Sequence, residues 1–277
     1  MQVARSTAQM KKLRRECAGS VGLVPTMGYL HEGHLELARQ AKSENAVAVA
    51  TIFVNPTQFG PSEDFRSYPR DLDRDLALLE KVKTDIVFVP PDKEMYPGDY
   101  NTWVEVRGIT AKLEGKSRPT HFQGVTTVCS KLFNIIEPDR AYFGQKDAQQ
   151  AIVIQKMVSE LNMNLHVIVC PTVRESDGLA MSSRNTYLNK EERASAAVLY
   201  KSLCLAKDMY EKGERDAAVI KHAMNSRISG EPAAKIDYVS IADAATLDEA
   251  DIIRGRVLVS LAVRLGKPRL IDNIFLG

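Results

Sequence analysis

Five short apolar runs, at residues 21–25, 46–54, 86–89, 141–143 and 165–170, recur through the first two thirds of the chain. Helical patterns stand between them, among them 35–42, 71–83, 125–136 and 148–161. The runs are rich in β-branched and aromatic residues and lack strict apolar–polar alternation, as strands buried on both faces of a parallel sheet must be. Strand and helix in alternation require right-handed crossovers and predict a doubly wound, Rossmann-like α/β domain over residues 1–173. In such a sheet ligands sit beyond the carboxyl ends of the strands, where the strand order reverses. Residues just after each run are therefore the place to look for chemistry.

The pattern changes after Val173. Residues 174–185 are polar and irregular, helices are expected over about 190–212 and 216–229, and the runs 236–241, 256–263 and 268–275 alternate like a small antiparallel sheet. This predicts a second, smaller α+β domain over residues 174–277, in keeping with a 277-residue chain of one large domain or two. Cys17, Cys129, Cys170 and Cys204 lie far apart with no CxxC pair, so they read as buried thiols in a reducing compartment. Thirty-seven Lys and Arg against 35 Asp and Glu argue against a surface built for nucleic acid. The longest apolar run, 46–54, is half the ~18 residues a membrane span requires. Arg5, Lys11, Lys12, Arg14 and Arg15 precede the first acid, Glu16, as in a transit peptide, but Ser6-x-x-Gln9 is a capping-box start and Met10 and Leu13 give the segment a helical face. The expectation is a soluble, cytoplasmic protein with no nucleic-acid or membrane partner.

Three segments carry chemistry. Met27-Gly28-Tyr29-Leu30-His31-Glu32-Gly33-His34 follows the first run, and its two histidines, three apart at a helix start, share one face. A helix N-terminus presents N–H groups and a positive dipole end, so two imidazoles there point to phosphate; a metal would need a third ligand, and His121, His166 and His222 form no zinc-like cluster. Gly144-Gln145-Lys146-Asp147 follows the fourth run: Gly144 permits a tight turn, Lys146 can meet phosphate as a point charge, and Asp147 can cap the next helix. A capped turn with a solvated lysine is the plainer reading of that segment. Met181-Ser182-Ser183-Arg184 offers two hydroxyls and a guanidinium that could close over a polyphosphate, or could be a solvated linker.

Taken in order, the stretches VPTMGYLHEGH, IFVNPTQF, YPR, MYP, RPTHFQGV, PDRAYFGQKD and PTVRESDGLAMSSRN resemble the pantothenate synthetase family, within the HxGH nucleotidyltransferases; IDYV and RLIDNI fit as well. AMSSR is similar to the mobile KMSKS loop, with Ala180 in place of the leading lysine. The resemblance implies a ligase that condenses (R)-pantoate with β-alanine, consuming ATP with Mg2+ and releasing AMP and pyrophosphate through a pantoyl-adenylate. It implies ATP binding by residues 27–34 (Met27, Gly28, Tyr29, Leu30, His31, Glu32, Gly33, His34), by Gly144, Gln145, Lys146 and Asp147, and by Val173, Met181, Ser182, Ser183 and Arg184. His34, His31, Lys146 and Arg184 would be the catalytic set, Gln58 and Gln150 would hold pantoate, and Asp75 is the family-like metal ligand, with Arg74 standing where relatives can place a second carboxylate. Arg118 and His121 either line the site or cap a helix. A homodimer is implied by the family alone. Two alternatives stand beside this reading: another HxGH adenylyltransferase, and a non-catalytic ATP-binding regulatory protein on the same fold.

Overall fold

The structure is a computed structural model and describes residues 1–61 and 63–277. It divides into two compact units: Met1–Gln145 with Gln149–Pro171, and Lys146–Ala148 with Thr172–Gly277.

The first unit is built on six strands, β1 (Gln2–Ala4), β2 (Val21–Thr26), β3 (Val47–Ile52), β4 (Ile86–Phe88), β5 (Arg140–Gly144) and β6 (His166–Cys170). Every pairing is parallel and the order is β1-β4-β3-β2-β5-β6, so the order reverses between β2 and β5. The helices are α1 (Thr7–Glu16), α2 (Glu32–Glu44), α3 (Leu72–Lys81), the short α4 (Asp92–Met95) and α5 (Glu114–Ser117), α6 (His121–Ile136) and α7 (Ala148–Glu160). The expected doubly wound sheet is present, with one strand more than expected. Residues 2–4 carry too few apolar positions for a period, and only pairing with β4 makes β1 a strand. At α1, Ser6 Oγ accepts the Gln9 N–H at 3.2 Å, while Gln9 Oε1 accepts the Arg5 N–H at 2.8 Å, one residue earlier than a regular capping box.

Pro25 shapes the crevice. The Ser20 and Thr26 carbonyls accept N–H groups of Val47 and Phe53, whereas the Val21 carbonyl accepts from Asp139. Odd residues of β2 therefore face β5, and pairing with β5 is confined to Gly22 and Leu23. Pro25 lacks the N–H that would carry the ladder on, so the carboxyl ends of β2 and β5 leave the pairing where a ligand site is expected.

The second unit holds α8 (Lys190–Ser195), α9 (Val198–Glu211) and α10 (Ala217–Ser229), with an antiparallel sheet β7 (Ala234–Asp243), β8 (Val257–Leu265) and β9 (Arg269–Leu276) in that order. Leu199, Leu203, Ile220, Met224 and Ile228 of the helices form one core with Val259, Leu261 and Val263 of β8. The single helix expected over 190–212 is broken at Ala196 and Ala197, where the Leu199 N–H reaches three residues back to Ala196 instead of four. Both alanines are buried, so the tight turn sits within the core. Cys129 and Cys170 are buried as expected, while Cys17 and Cys204 are half-buried; all four are free thiols. No helix among the described residues is long and apolar enough to cross a membrane.

Candidate active site

The loop after β2 is fixed link by link. The Thr26 hydroxyl donates to the Thr51 carbonyl at 2.6 Å and accepts the Gly28 N–H at 3.2 Å. Gly28 (φ 80) and Tyr29 (φ 49) are both left-handed, and a Cβ on Gly28 would come within 3.0 Å of Asp75 Oδ2. Glycine relieves the first position; Tyr29 is held against its preference, a strain that surrounding bonds must hold. They come from α3: Tyr29 N–H donates to Asp75 Oδ2 at 2.6 Å, Leu30 N–H to Asp75 Oδ1 at 2.7 Å, and Arg74 Nη2 to the Leu30 carbonyl at 2.9 Å. The Arg74 guanidinium also lies 5.2 Å from the Tyr29 ring centroid.

This gives Asp75 a different setting from the exposed acid a helix surface would provide. It is 1% exposed, and burial pushes its carboxyl above the ordinary 3.8, although the two N–H groups and Arg74 pull the other way. As it stands the carboxylate fits a loop anchor, each oxygen taking one N–H and keeping a second lone pair. Arg74, which occupies the place of a possible second acid, serves the same loop.

His31 caps α2, and its ring centroid lies 4.0 Å from that of His34, so the two imidazoles share a face as their spacing requires. His34 Nδ1 accepts the His31 N–H at 3.3 Å. In the neutral ring the proton is then on Nε2, which makes that edge a donor. The loop's own N–H groups from Gly28 to His31 are taken up internally and the His34 N–H bonds the His31 carbonyl at 2.9 Å, so at the start of α2 the backbone positions suited to an anion are Glu32 and Gly33, beside the two imidazoles. Glu32 is exposed and pairs with Arg39 at 2.6 Å.

Gln58 joins this loop: its Nε2 donates to Met27 Sδ at 3.0 Å, and its Oε1 accepts from Asn55 Nδ2 at 3.1 Å. Asn55, 1% exposed and also donating to the Gly124 carbonyl, was not singled out in the sequence; its place in NPTQF beside Gln58 was the available signal. A Cβ on Gly124 would lie 2.5 Å from the Thr57 carbonyl oxygen, so this glycine lets α6 touch the Pro56–Gln58 turn. Arg118 and His121 neither cap α6 nor float. His121 Nδ1 lies 3.0 Å from the Gln58 carbonyl, which only accepts, so Nδ1 carries the proton. Nε2 then accepts from Arg118 Nη1 at 3.2 Å. Burial, then the Arg118 charge, lowers His121 to about 4. Arg118 grips Glu63 through two bonds of 2.7 and 2.6 Å; burial pushes the Glu63 carboxyl up, but Arg118 outweighs it and leaves the carboxyl below its ordinary 4.5.

Gly144, Gln145 and Gln150 are half-buried in this unit. Gly144 corrects the expectation of a turn glycine: its φ is not positive, and a Cβ there would meet nothing within 4 Å. What glycine leaves is open space over the end of β5. Of the adjacent glutamines on α7, Gln149 is structural, bonding the Ile109 and Lys112 carbonyls and the Glu114 N–H.

In the second unit, Lys146 Nζ stands 3.6 Å from Asp147 Oδ1. Val173 and Met181 are tied by the Met181 N–H to the Val173 carbonyl at 3.0 Å, closing a hairpin bridged at Arg174 and Ala180. Ser182 Oγ then accepts the Arg184 N–H at 3.3 Å and starts a 3-10 turn over Ser183–Tyr187. The polar stretch is thus a built loop, with Arg193 bonding both Glu175 and Asp177 at its base.

Residues 2–275 match the family described as Pantoate-beta-alanine ligase. A pantothenate synthetase from Acetivibrio thermocellus is 57% identical over 277 residues, covering 99% of each chain. Among solved structures, a pantothenate synthetase from Thermus thermophilus superposes with a TM-score of 0.95 at 44% identity, covering 99% of each chain. A pantoate-beta-alanine ligase from Francisella tularensis, complexed with beta-gamma ATP and beta-alanine, gives a TM-score of 0.82 at 35% identity over 99% of this chain and 97% of that one.

Proposed function

This chain belongs to the Pantoate-beta-alanine ligase family, and from that premise we propose that it condenses pantoate with β-alanine at the expense of ATP. The observation that carries the reading to chemistry is the paired His31 and His34 at the start of α2, 4.0 Å apart on a loop locked by Asp75.

The pantoate carboxylate attacks the α-phosphorus of ATP, the bond to pyrophosphate breaks, and the β-alanine amine then displaces AMP from the acyl-adenylate. No serine or cysteine nucleophile is called for, because the mixed anhydride is itself the activated species. Negative charge grows on the phosphoryl oxygens and the leaving pyrophosphate. His34 offers its Nε2–H to that charge, its Nδ1 being engaged by the His31 N–H. Lys146, Ser182, Ser183 and Arg184 are assigned to the same nucleotide by their motifs, as cation and hydrogen-bond donors, and Val173 and Met181 through backbone. Gln58 is suited to pantoate because its Nε2–H rests on a thioether, a weak acceptor that a hydroxyl or carboxylate oxygen displaces readily. Asn55 keeps the other end of that amide oriented. Gln150 is the second amide assigned to pantoate.

Magnesium bound with ATP would supply positive charge against the phosphates. Among the described residues no three His, Cys, Asp or Glu gather as a metal centre, so most of the ion's ligands would be phosphate oxygens and water, with Asp75 the one carboxylate assigned to it by its motif. The reading also takes in a cytoplasmic location and a homodimer, the latter tested by sedimentation at enzyme concentrations.

The deciding experiment follows pyrophosphate release from ATP and Mg2+ with pantoate alone, then with β-alanine. A burst of about one equivalent with pantoate, turning to steady AMP formation with β-alanine, is expected. ATP binding without pyrophosphate release under either condition would leave a nucleotide-binding protein and remove the ligase.

A further inference from the structure

The motif Arg269-Leu270-Ile271-Asp272-Asn273-Ile274 has no part in the chemistry above, yet it puts two polar residues side by side in a strand whose apolar residues help build the core. Asp272 is 1% exposed and Asn273 3% exposed. Neighbouring residues on a strand point to opposite faces. Asp272 pairs in register with Leu261, on the face that carries the helical core, and Asn273 with Ser260 on the other.

Each reaches a different segment of the nucleotide-handling machinery. Asp272 takes both arms of Arg174, at 2.6 and 2.9 Å, and the same guanidinium donates to the Gly178 carbonyl and lies 4.0 Å from the Tyr200 ring centroid. Arg174 is the base of the hairpin that leads into residues 181–184. Asn273 Nδ2 donates to the Lys146 carbonyl at 2.9 Å, and the Asn273 N–H bonds Asp272 Oδ1 at 2.8 Å, linking the two side chains through one backbone step. A buried ion pair is a poor way to gain stability, since well-packed apolar residues often do as well or better. Its use here is geometric.

We propose that Asp272 and Asn273 are positioning residues for the adenylation step: Asn273 fixes the backbone at Lys146, and Asp272, through Arg174, fixes the hairpin carrying Met181, Ser182, Ser183 and Arg184. One strand thereby sets the placement of both phosphate-facing segments, and a misplacement of about 1 Å at such a group can cost up to ~100-fold in rate. The inference rests on the assignment of Lys146 made above.

A double-mutant cycle in the full-length enzyme tests it, reading single-turnover pyrophosphate release with thermal unfolding alongside. Asn273→Ala is expected to slow release about 10-fold in the wild-type background and to have no further effect once Lys146 is alanine, because the group being positioned is gone. Equal slowing in both backgrounds, or none in the wild type, would overturn the inference. Near-normal release by Lys146→Ala alone would instead strike the Lys146 assignment, and the positioning role with it. Asn273→Asp keeps the strand's shape while turning an oxygen toward the Lys146 carbonyl. It should be at least as slow as Asn273→Ala, and it serves if the alanine variant does not fold. Asp272→Asn removes the charge facing Arg174 at constant size and should raise the KM for ATP about 10-fold with the KM for pantoate unchanged. Movement of both KM values together, or of neither, would overturn that half.

Discussion

Lowering the pH from 7 to 5 should weaken this fold through His121. The ring is 8% exposed, donates from Nδ1 to the Gln58 carbonyl and accepts at Nε2 from Arg118, so a second proton would have to displace a guanidinium. Arg118, Glu63 and Glu114 are the charged groups that act on it, and burial with Arg118 prevails, lowering the ring from 6.5 to about 4. The sign follows from proton counting. Between pH 6.5 and 4 the unfolded chain binds a proton at His121 that the native state refuses, so stability present above pH 6.5 is lost as the pH falls. At pH 5 the loss from this one group is about 2 kcal/mol, rising to about 3 kcal/mol below pH 4. Other groups titrate over the same range, so the quantity to measure is a difference. Urea unfolding of the wild type and of His121→Gln at pH 7 and pH 5 should show the variant's deficit shrinking by about 2 kcal/mol at the lower pH. A deficit that stays constant between the two would mean that the native ring takes up its proton near its ordinary value, and the bonding assigned to Nε2 would be wrong.

Removing the carboxylate in Asp75→Ala should cost about 2–4 kcal/mol, since two charge-assisted bonds go but a buried charge goes with them, and it should depress turnover by freeing Tyr29 from its left-handed backbone; an active variant of wild-type stability would refute the anchor. His34→Ala and Lys146→Ala are each expected to lower turnover at least ~100-fold with circular dichroism unchanged, and near-normal rates would remove the residue from the mechanism. ATP should protect residues 181–184 from limited proteolysis; cleavage indifferent to the nucleotide would count against closure of that loop over the phosphates.

Much of this is legible in the sequence. Continuous apolar runs with helices between them required a parallel sheet, and the histidine spacing placed both imidazoles on one helix face, because strand burial and helical period are local properties of the chain. What the sequence could not supply was partnership across long separations. Asp75 read as a surface acid or a metal ligand until α3 met the loop 45 residues earlier. Arg118 and His121 were undecided until α6 packed on the Pro56–Gln58 turn. The β1 strand exists only because β4 is there to pair with it. Asp272 and Asn273, ordinary letters in the last strand, acquire a role only when Arg174 and Lys146, each about a hundred residues away or more, come within bonding distance. Periodicity and spacing are encoded along the chain, whereas the partner that satisfies a buried polar group is chosen by the tertiary fold, which must pair every donor and acceptor it removes from water.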